Sequence, residues 1–333
     1  MTEKWTDKTG MKALRRYRFT LTLKIIRILL IILFTGVIYQ MVLQISYSET
    51  DNQEKLQTYA QLSAEWTMPG VRVDRFGGTL GDISAFFTER TSIDLKKRVG
   101  SDDKRIGTRE IVKPLVKSFT HLYDDITDPD VYADYQFYLP YDPRNERSLS
   151  ASKEDGVWDT LETLHEGTVA EMAFSFDDYY RPEEIMEFLD DYDLTVSWLP
   201  LFMGELQNFE SGSGGSEDTL SVDPWGLSSG QYFDEKWRNN ATSFLSLENI
   251  DEVESQMIAN MKLLYEEDDT LAEAMFQMPH FEERIEFLEE DGFKVYGAVV
   301  TGPTKELLTL QEEKIIRGEQ LGYITYWNWS QTD

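Results

Sequence analysis

The residue types that carry chemistry are sparse in this chain. His121, His165 and His280 are its only imidazoles, and no two stand at metal-ligand spacing. There is no cysteine, which excludes thiolate metal sites, thiol redox motifs and disulfides. No Gly-x-Ser-x-Gly elbow offers a nucleophile, and no strand leads into a complete phosphate-cradling loop. Gly302-Pro303-Thr304-Lys305 has part of such a turn, but the first glycine is missing and a helix start explains it better. The carboxylates bunch at Asp124, Asp125, Asp128 and Asp130, at Asp190, Asp191 and Asp193, and at Glu266, Glu267, Asp268 and Asp269. A calcium loop needs alternating carboxylates, a central glycine and a distal glutamate, and none of these runs has that set. They are expected to be solvated loop and helix-end charge. Among 61 acidic residues, a facing pair suited to glycoside hydrolysis carries no information. The residues therefore predict no catalytic group, no metal and no cofactor: a binding or regulatory protein, not an enzyme.

The stretch that positions everything else is Ile28 to Ile45, eighteen residues without a charge. Its apolar members are Ile28, Leu29, Leu30, Ile31, Ile32, Leu33, Phe34, Val37, Ile38, Val42, Leu43 and Ile45. At about 1.5 Å per residue such a helix spans roughly 27 Å, close to a bilayer's hydrocarbon core. It exceeds the apolar run of a signal peptide, and no small-x-small cleavage site follows. The expected membrane helix is 25–46, with Lys24 and Arg27 reaching the headgroups. Before residue 28 stand eight basic and two acidic side chains, net +6; the rest of the chain then carries −35 of the overall −29. Basic residues beside a span stay cytoplasmic, so the N-terminus is expected inside the cell membrane and the remainder outside, in a single pass. The strongly negative outer part disfavours nucleic acid.

Residues 1–24 form a basic tail, and 47–65 are polar and helix-compatible, the expected stalk. Residues 66–150 read as a mostly β subdomain, with strands expected at 71–73, across 83–99 around a hairpin, and at 132–139. From 151 to 330 the pattern is α/β. Thr168–Phe176 alternates as a strand, Pro182-Glu183-Glu184 opens a helix, and Leu194–Leu199 is the next strand. The Ser- and Gly-rich 212–230 stretch reads as an exposed loop. Helices follow at 248–264, 271–278 and 281–288. Then 294–300 is a strand, Gly302-Pro303 starts a helix, and 321–327 is a final strand. A β-α-β unit normally forms a parallel pair, and βαβ…βαβ is the order of a ferredoxin-like sheet with helices on one face. The expected fold class is one membrane helix followed by an extracellular α+β region.

Three stretches carry a resemblance. Leu164-His165-Glu166-Gly167-Thr168-Val169-Ala170-Glu171 leads into the first βα unit, Val295 to Glu306 (VYGAVVTGPTKE) covers the second, and Tyr326-Trp327-Asn328-Trp329 ends it. Together they resemble the sigma factor regulators of Bacillus-type, Gram-positive bacteria, membrane anti-sigma factors that restrain an extracytoplasmic-function sigma factor. The family motif falls on Gly167, Val295, Tyr296, Gly297, Gly302, Pro303, Thr304, Lys305, Trp327 and Trp329, in structural roles. The resemblance implies that the outer domain senses envelope state while a cytoplasmic segment holds the sigma factor. Arg15, Arg16 and Arg18 are then the expected partner contacts, acting on the sigma factor directly or through a second membrane protein. An extracellular binding or scaffold module without a sigma partner is the alternative.

Overall fold

The computed structural model describes residues 7–48, 52–84, 88–114, 120–233, 237, 239–277 and 280–327. The chain divides into two units, Met1–Asn52 and Gln53–Asp333.

Among the described residues, the first unit is one helix, α1 (Asp7–Ser48). Its Gly10–Leu43 stretch is long and apolar enough to cross a bilayer, and none of its most apolar window is buried against protein. Polar side chains on it are satisfied within the helix: the Thr20 and Thr35 hydroxyls donate to the carbonyls of Arg16 and Ile31, each at 2.8 Å. A membrane helix needs that internal satisfaction, since lipid offers no partner.

The second unit begins with α2 (Asn52–Thr67). The sequence predicted a stalk over 47–65, and the structure corrects this. Leu56, Tyr59, Ala60, Leu62, Ala64 and Trp66 are buried, and so are the polar Thr58, Gln61, Ser63 and Glu65. A meander follows: β1 (Val71–Ile83), β2 (Thr88–Val99), β3 (Asp102–Pro114) and β4 (His121–Ile126), antiparallel in chain order. β2 turns every second residue inward, from Glu89 through Ile93 and Leu95 to Lys97 and Val99, as period-two pleating requires.

Residues 132–139 were expected to form a strand, but they join no ladder. Tyr138 N–H donates instead to Ser175 Oγ (2.8 Å), Gln136 exchanges bonds with the Gln320 side chain (3.0 and 2.7 Å), and Leu139 N–H reaches the Leu220 carbonyl at 2.8 Å. A short hairpin, β5 (Tyr141–Asp142) with β6 (Arg147–Ser148), leads to α3 (Val157–Thr163). No break falls at 150, because Tyr135, Phe137 and Leu139 pack in one cluster with Ala173, Trp198 and Tyr296.

The larger sheet opens with β7 (Thr168–Tyr180) and β8 (Thr195–Phe202). α4 (Pro182–Asp190) joins β7 to β8, opened by Pro182 and by Glu184, which accepts from Arg181 N–H at 2.9 Å. The supposed exposed loop at 212–230 holds β9 (Ser213–Gly215), β10 (Leu220–Val222) and β11 (Trp225–Leu227). Leu220, Val222, Trp225 and Leu227 are buried there, so its apolar residues and not its glycines decide its place. The hairpin β12 (Gly230–Phe233) with β13 (Asn239–Ser243) precedes three helices, α5 (Ile250–Glu267), α6 (Asp269–Phe276) and α7 (Phe281–Asp291). Then come β14 (Lys294–Pro303), α8 (Thr304–Thr309) and β15 (Ile316–Tyr326).

Strand order is β11-β8-β14-β7-β15, antiparallel throughout. The sequence predicted a parallel β7–β8 pair; instead β14 lies between them. Both strands run alike, but the helical crossover steps over one place in the sheet, and the late strand fills it. Ala170, Met172, Phe174 and Phe176 share a cluster with Ile185 and Leu189 of α4 and Leu307 of α8. Each such Phe, Met, Ile or Leu side chain taken out of water contributes roughly 1.5–3 kcal/mol.

Candidate functional site

The three histidines sit on different segments. His121 is exposed on β4, the His165 ring accepts from Gly167 N–H (3.1 Å), and His280 sits 3.1 Å from Glu283. No three His, Cys, Asp or Glu among the described residues gather to hold a metal. The acidic runs, however, are less idle than expected. Asp124 forms a two-pronged pair with buried Arg109 (2.7 and 2.8 Å), and Asp268 caps α6 by accepting from Leu271 N–H at 3.0 Å.

The motif residues stitch the larger sheet together. Thr304 is buried, its hydroxyl 2.9 Å from that of Thr168. Lys305 donates to the carbonyls of Leu161 and Glu162 (3.3 and 2.9 Å) at the end of α3, where a cation complements the helix dipole. Trp327 N–H reaches the Gly167 carbonyl at 2.8 Å. Pro303 ends β14 and precedes the first residue of α8, and Val295 and Tyr296 are fully buried. Gly297 and Gly302 lie so close to neighbouring backbone that a β-carbon would come within 2.5 Å of Phe174 O and 2.6 Å of Asp193 O. Trp329 lies outside the described residues. Arg15 and Arg18 share one face of α1 with Met11 and Leu14, whereas Arg16 stands about 100° round from Arg15. The apolar members of the span, Ile28 to Ile45, are exposed along α1 except half-buried Leu43.

Sequence reasoning missed the polar groups around α2, the element that follows the membrane helix after three residues. Glu65 is 3% exposed. One carboxylate oxygen accepts from Val73 N–H (3.1 Å) and Gln61 (3.5 Å), the other from Ser229 Oγ (3.2 Å) and the Gln231 amide. Burial still dominates and pushes its pKa to about 7, against the opposing pull of those donors and of the Arg72 charge. The Glu65 carbonyl receives the indole N–H of Trp198 (3.0 Å), tying α2 to the larger sheet. Arg109 of β3 donates to Ser63 Oγ at 2.9 Å, and Tyr59 OH donates to the Leu264 carbonyl of α5 at 2.5 Å.

A second buried group joins the two sheets. Lys97 of β2 lies 2.7 Å from Glu171 of β7, both side chains 0% exposed, and Tyr135 OH donates to the same Glu171 oxygen at 2.5 Å. The other oxygen, Oε1, has no partner among the described residues. Burial raises the Glu171 pKa despite the Lys97 charge. Gly70, at the end of α2, closes over it with φ +71°: a β-carbon there would sit 2.8 Å from Glu171 Oε1. The signal was legible in part. Lys97 stands in register with Ile93, Leu95 and Val99, and Glu171 interrupts an apolar strand; a charge on an inward face needs a partner.

This arrangement ties one helix, α2, to both sheets through Arg109 and Trp198 and to α5 through Tyr59, so displacement of α2 would disturb each of them.

The chain is similar to known proteins over most of its length. Residues 11–104 match the model described as sigma factor regulator N-terminal, and residues 161–323 the one described as sigma factor regulator C-terminal. It is 26% identical over 283 residues to the probable anti-sigma-M factor YhdL of Bacillus subtilis (strain 168), an alignment covering 81% of this chain and 69% of that protein. No solved structure matches. With both halves of the family pattern present in order, the chain belongs to the sigma factor regulator family.

Proposed function

We propose that this protein is a single-pass membrane regulator that controls an extracytoplasmic-function sigma factor, with its N-terminus cytoplasmic and Gln53–Asp333 outside, where it senses envelope state. The observation that carries the orientation is the charge step across α1, +6 before the span and −35 after it. Support for the regulatory role comes from the family and from a relative named as a probable anti-sigma-M factor. Arg15 and Arg18, on one face with Met11 and Leu14, offer a cationic edge beside an apolar strip, suited to an acidic helix of the sigma factor or of a second membrane protein. α2 transmits, because it alone follows the span and is clamped into the outer core. A ferredoxin-like reading of the larger sheet is supported by the order β15-β7-β14-β8, the fourth, first, third and second strands of a βαββαβ unit.

The test is crosslinking and capture of the full-length protein from its native membrane, with reporters of cytoplasmic and external location fused to either end. A sigma factor recovered with the intact chain, and lost when Arg15 and Arg18 become Gln, is the expected result. Recovery of a second membrane protein through the same arginines assigns the indirect route. Capture of envelope proteins alone would overturn the regulatory reading in favour of a scaffold, and an external N-terminus would overturn the orientation.

A further inference from the structure

A cavity of about 220 Å³ opens between the 203–212 loop, which follows β8, and the start of α7. It is smaller than the roughly 300–1,000 Å³ pockets that take drug-sized ligands, and its walls are unlike those of a chance void. Arg284, 2% exposed, lines it. The guanidinium is held by aromatic rings, with Cζ 4.7 Å from the Phe209 ring and 5.2 Å from that of Trp225. Its Nη1 is engaged by Glu205, a carboxylate itself fixed by Met203 N–H at 2.7 Å. Nε is buried and has no hydrogen-bond partner, and Nη2 donates to no described group. Nε–H and Nη2–H form the side-on fork of an arginine, which matches a planar two-oxygen acceptor. The buried hydroxyl of Ser211, on the same wall, is also unpartnered.

A bare anion does not suit this cavity. Glu205 already pairs with Arg284, and Glu210 and Asp223 also line the cavity, without an ion pair among the described residues. Their two negative charges would repel a simple carboxylate and attract an ammonium. The cavity thus combines the guanidinium of Arg284 with two carboxylates among its lining residues. Phe209, stacked on His280 with ring centroids 4.8 Å apart, forms an aromatic side.

We propose that this cavity binds a small zwitterion of the free amino-acid class, its carboxylate on the Nε/Nη2 fork of Arg284 with Ser211, its ammonium against Asp223 and Glu210. Ligand binding satisfies donors that are otherwise buried and unpaired. The site stands on the geometry of Gln53–Asp333 alone. Its role as a sensory input rests on the outward orientation proposed above, whereas binding to purified protein is measured independently of topology.

The test is calorimetric titration of the full-length protein in detergent micelles with L-alanine, D-alanine, L-serine and L-leucine, and with acetate and methylamine as half-ligands. At least one amino acid is expected to bind saturably, one per chain, about tenfold or more tighter than either half-ligand. Asp223→Asn, at an exposed position, should weaken that amino acid by about tenfold and leave acetate unchanged. Arg284→Lys, checked for native tryptophan fluorescence, should abolish binding because an ammonium lacks the fork. No saturable binding by any of the four up to about 10 mM, or equal binding of acetate, would overturn the proposal. So would full affinity in Asp223→Asn, which remains informative if Arg284→Lys fails to fold.

Discussion

Replacing Glu65 by Gln should flatten the pH dependence of stability. In the folded protein Glu65 titrates at about 7, against an ordinary 4.5. The folded state therefore keeps a proton that the unfolded chain has lost, and stability is fully present below about pH 4.5 and falls as the pH rises through 7. At about 1.36 kcal/mol per pH unit, the charged carboxylate costs the folded protein about 3 kcal/mol in alkaline solution. Between pH 5 and 8, wild type should lose about 2–3 kcal/mol that Glu65→Gln does not lose. The amide keeps an oxygen for Val73 N–H but turns an NH2 toward the donors Ser229 and Gln231, so the variant carries a constant penalty at every pH. The slope, not the absolute stability, is the readout. Glu254, also raised to about 7 by burial, titrates in both proteins and cancels. Urea unfolding of full-length protein in micelles, followed by the fluorescence of buried Trp66, Trp198, Trp225 and Trp237, measures it. With a urea dependence of about 3 kcal/mol per molar, the midpoint difference between wild type and variant should shift by nearly 1 M across that range. Parallel pH curves for the two proteins would refute the assignment of the titration to Glu65.

Lys97→Met leaves Glu171 buried with its charge unmatched and should cost about 3–5 kcal/mol, most of it recovered in Lys97→Met/Glu171→Leu; the same urea titrations decide. Gly70→Ala should cost about 2 kcal/mol or more, from the positive φ and the 2.8 Å approach to Glu171. Gly156→Ala, with φ +80° but nothing within 4 Å, should cost only about 1 kcal/mol from backbone strain; equal losses would argue against crowding at Gly70. Lys305→Ala should lower stability by about 0.5–1 kcal/mol through the lost cation at the end of α3, read as a small drop in midpoint.

What the sequence made legible follows from how each signal arises. Ile28–Ile45 announced itself because a span must be apolar in every direction. α4 was placed by Pro182 and Glu184, since helix starts are local chemistry. The parallel pairing of β7 and β8 failed because adjacency in the sheet was decided by β14, more than ninety residues later in the chain. Residues 132–139 alternate like a strand, yet Ser175 and Gln320 took the backbone bonds a ladder would have used. The 212–230 stretch is rich in glycine and serine, and its composition concealed Leu220, Val222, Trp225 and Leu227.

The misjudged stalk is the instructive case. α2 has the polarity of a surface helix because Thr58, Gln61, Ser63 and Glu65 face inward and are met there, by the Trp237 carbonyl, Gln231, Arg109 and the Val73 N–H respectively. Buried polar groups cost little when paired and several kcal/mol when not. An apolar helix could slide against its neighbours with a gradual loss of contact. α2 cannot, because a shift of one residue would strip partners from four buried side chains together. An element held that way has few intermediate positions, and such discreteness suits a helix joined to a membrane span, where a displacement must be either resisted or passed on. On the function proposed above, the polarity that made α2 look external is what would let it pass a displacement of the span to the domain.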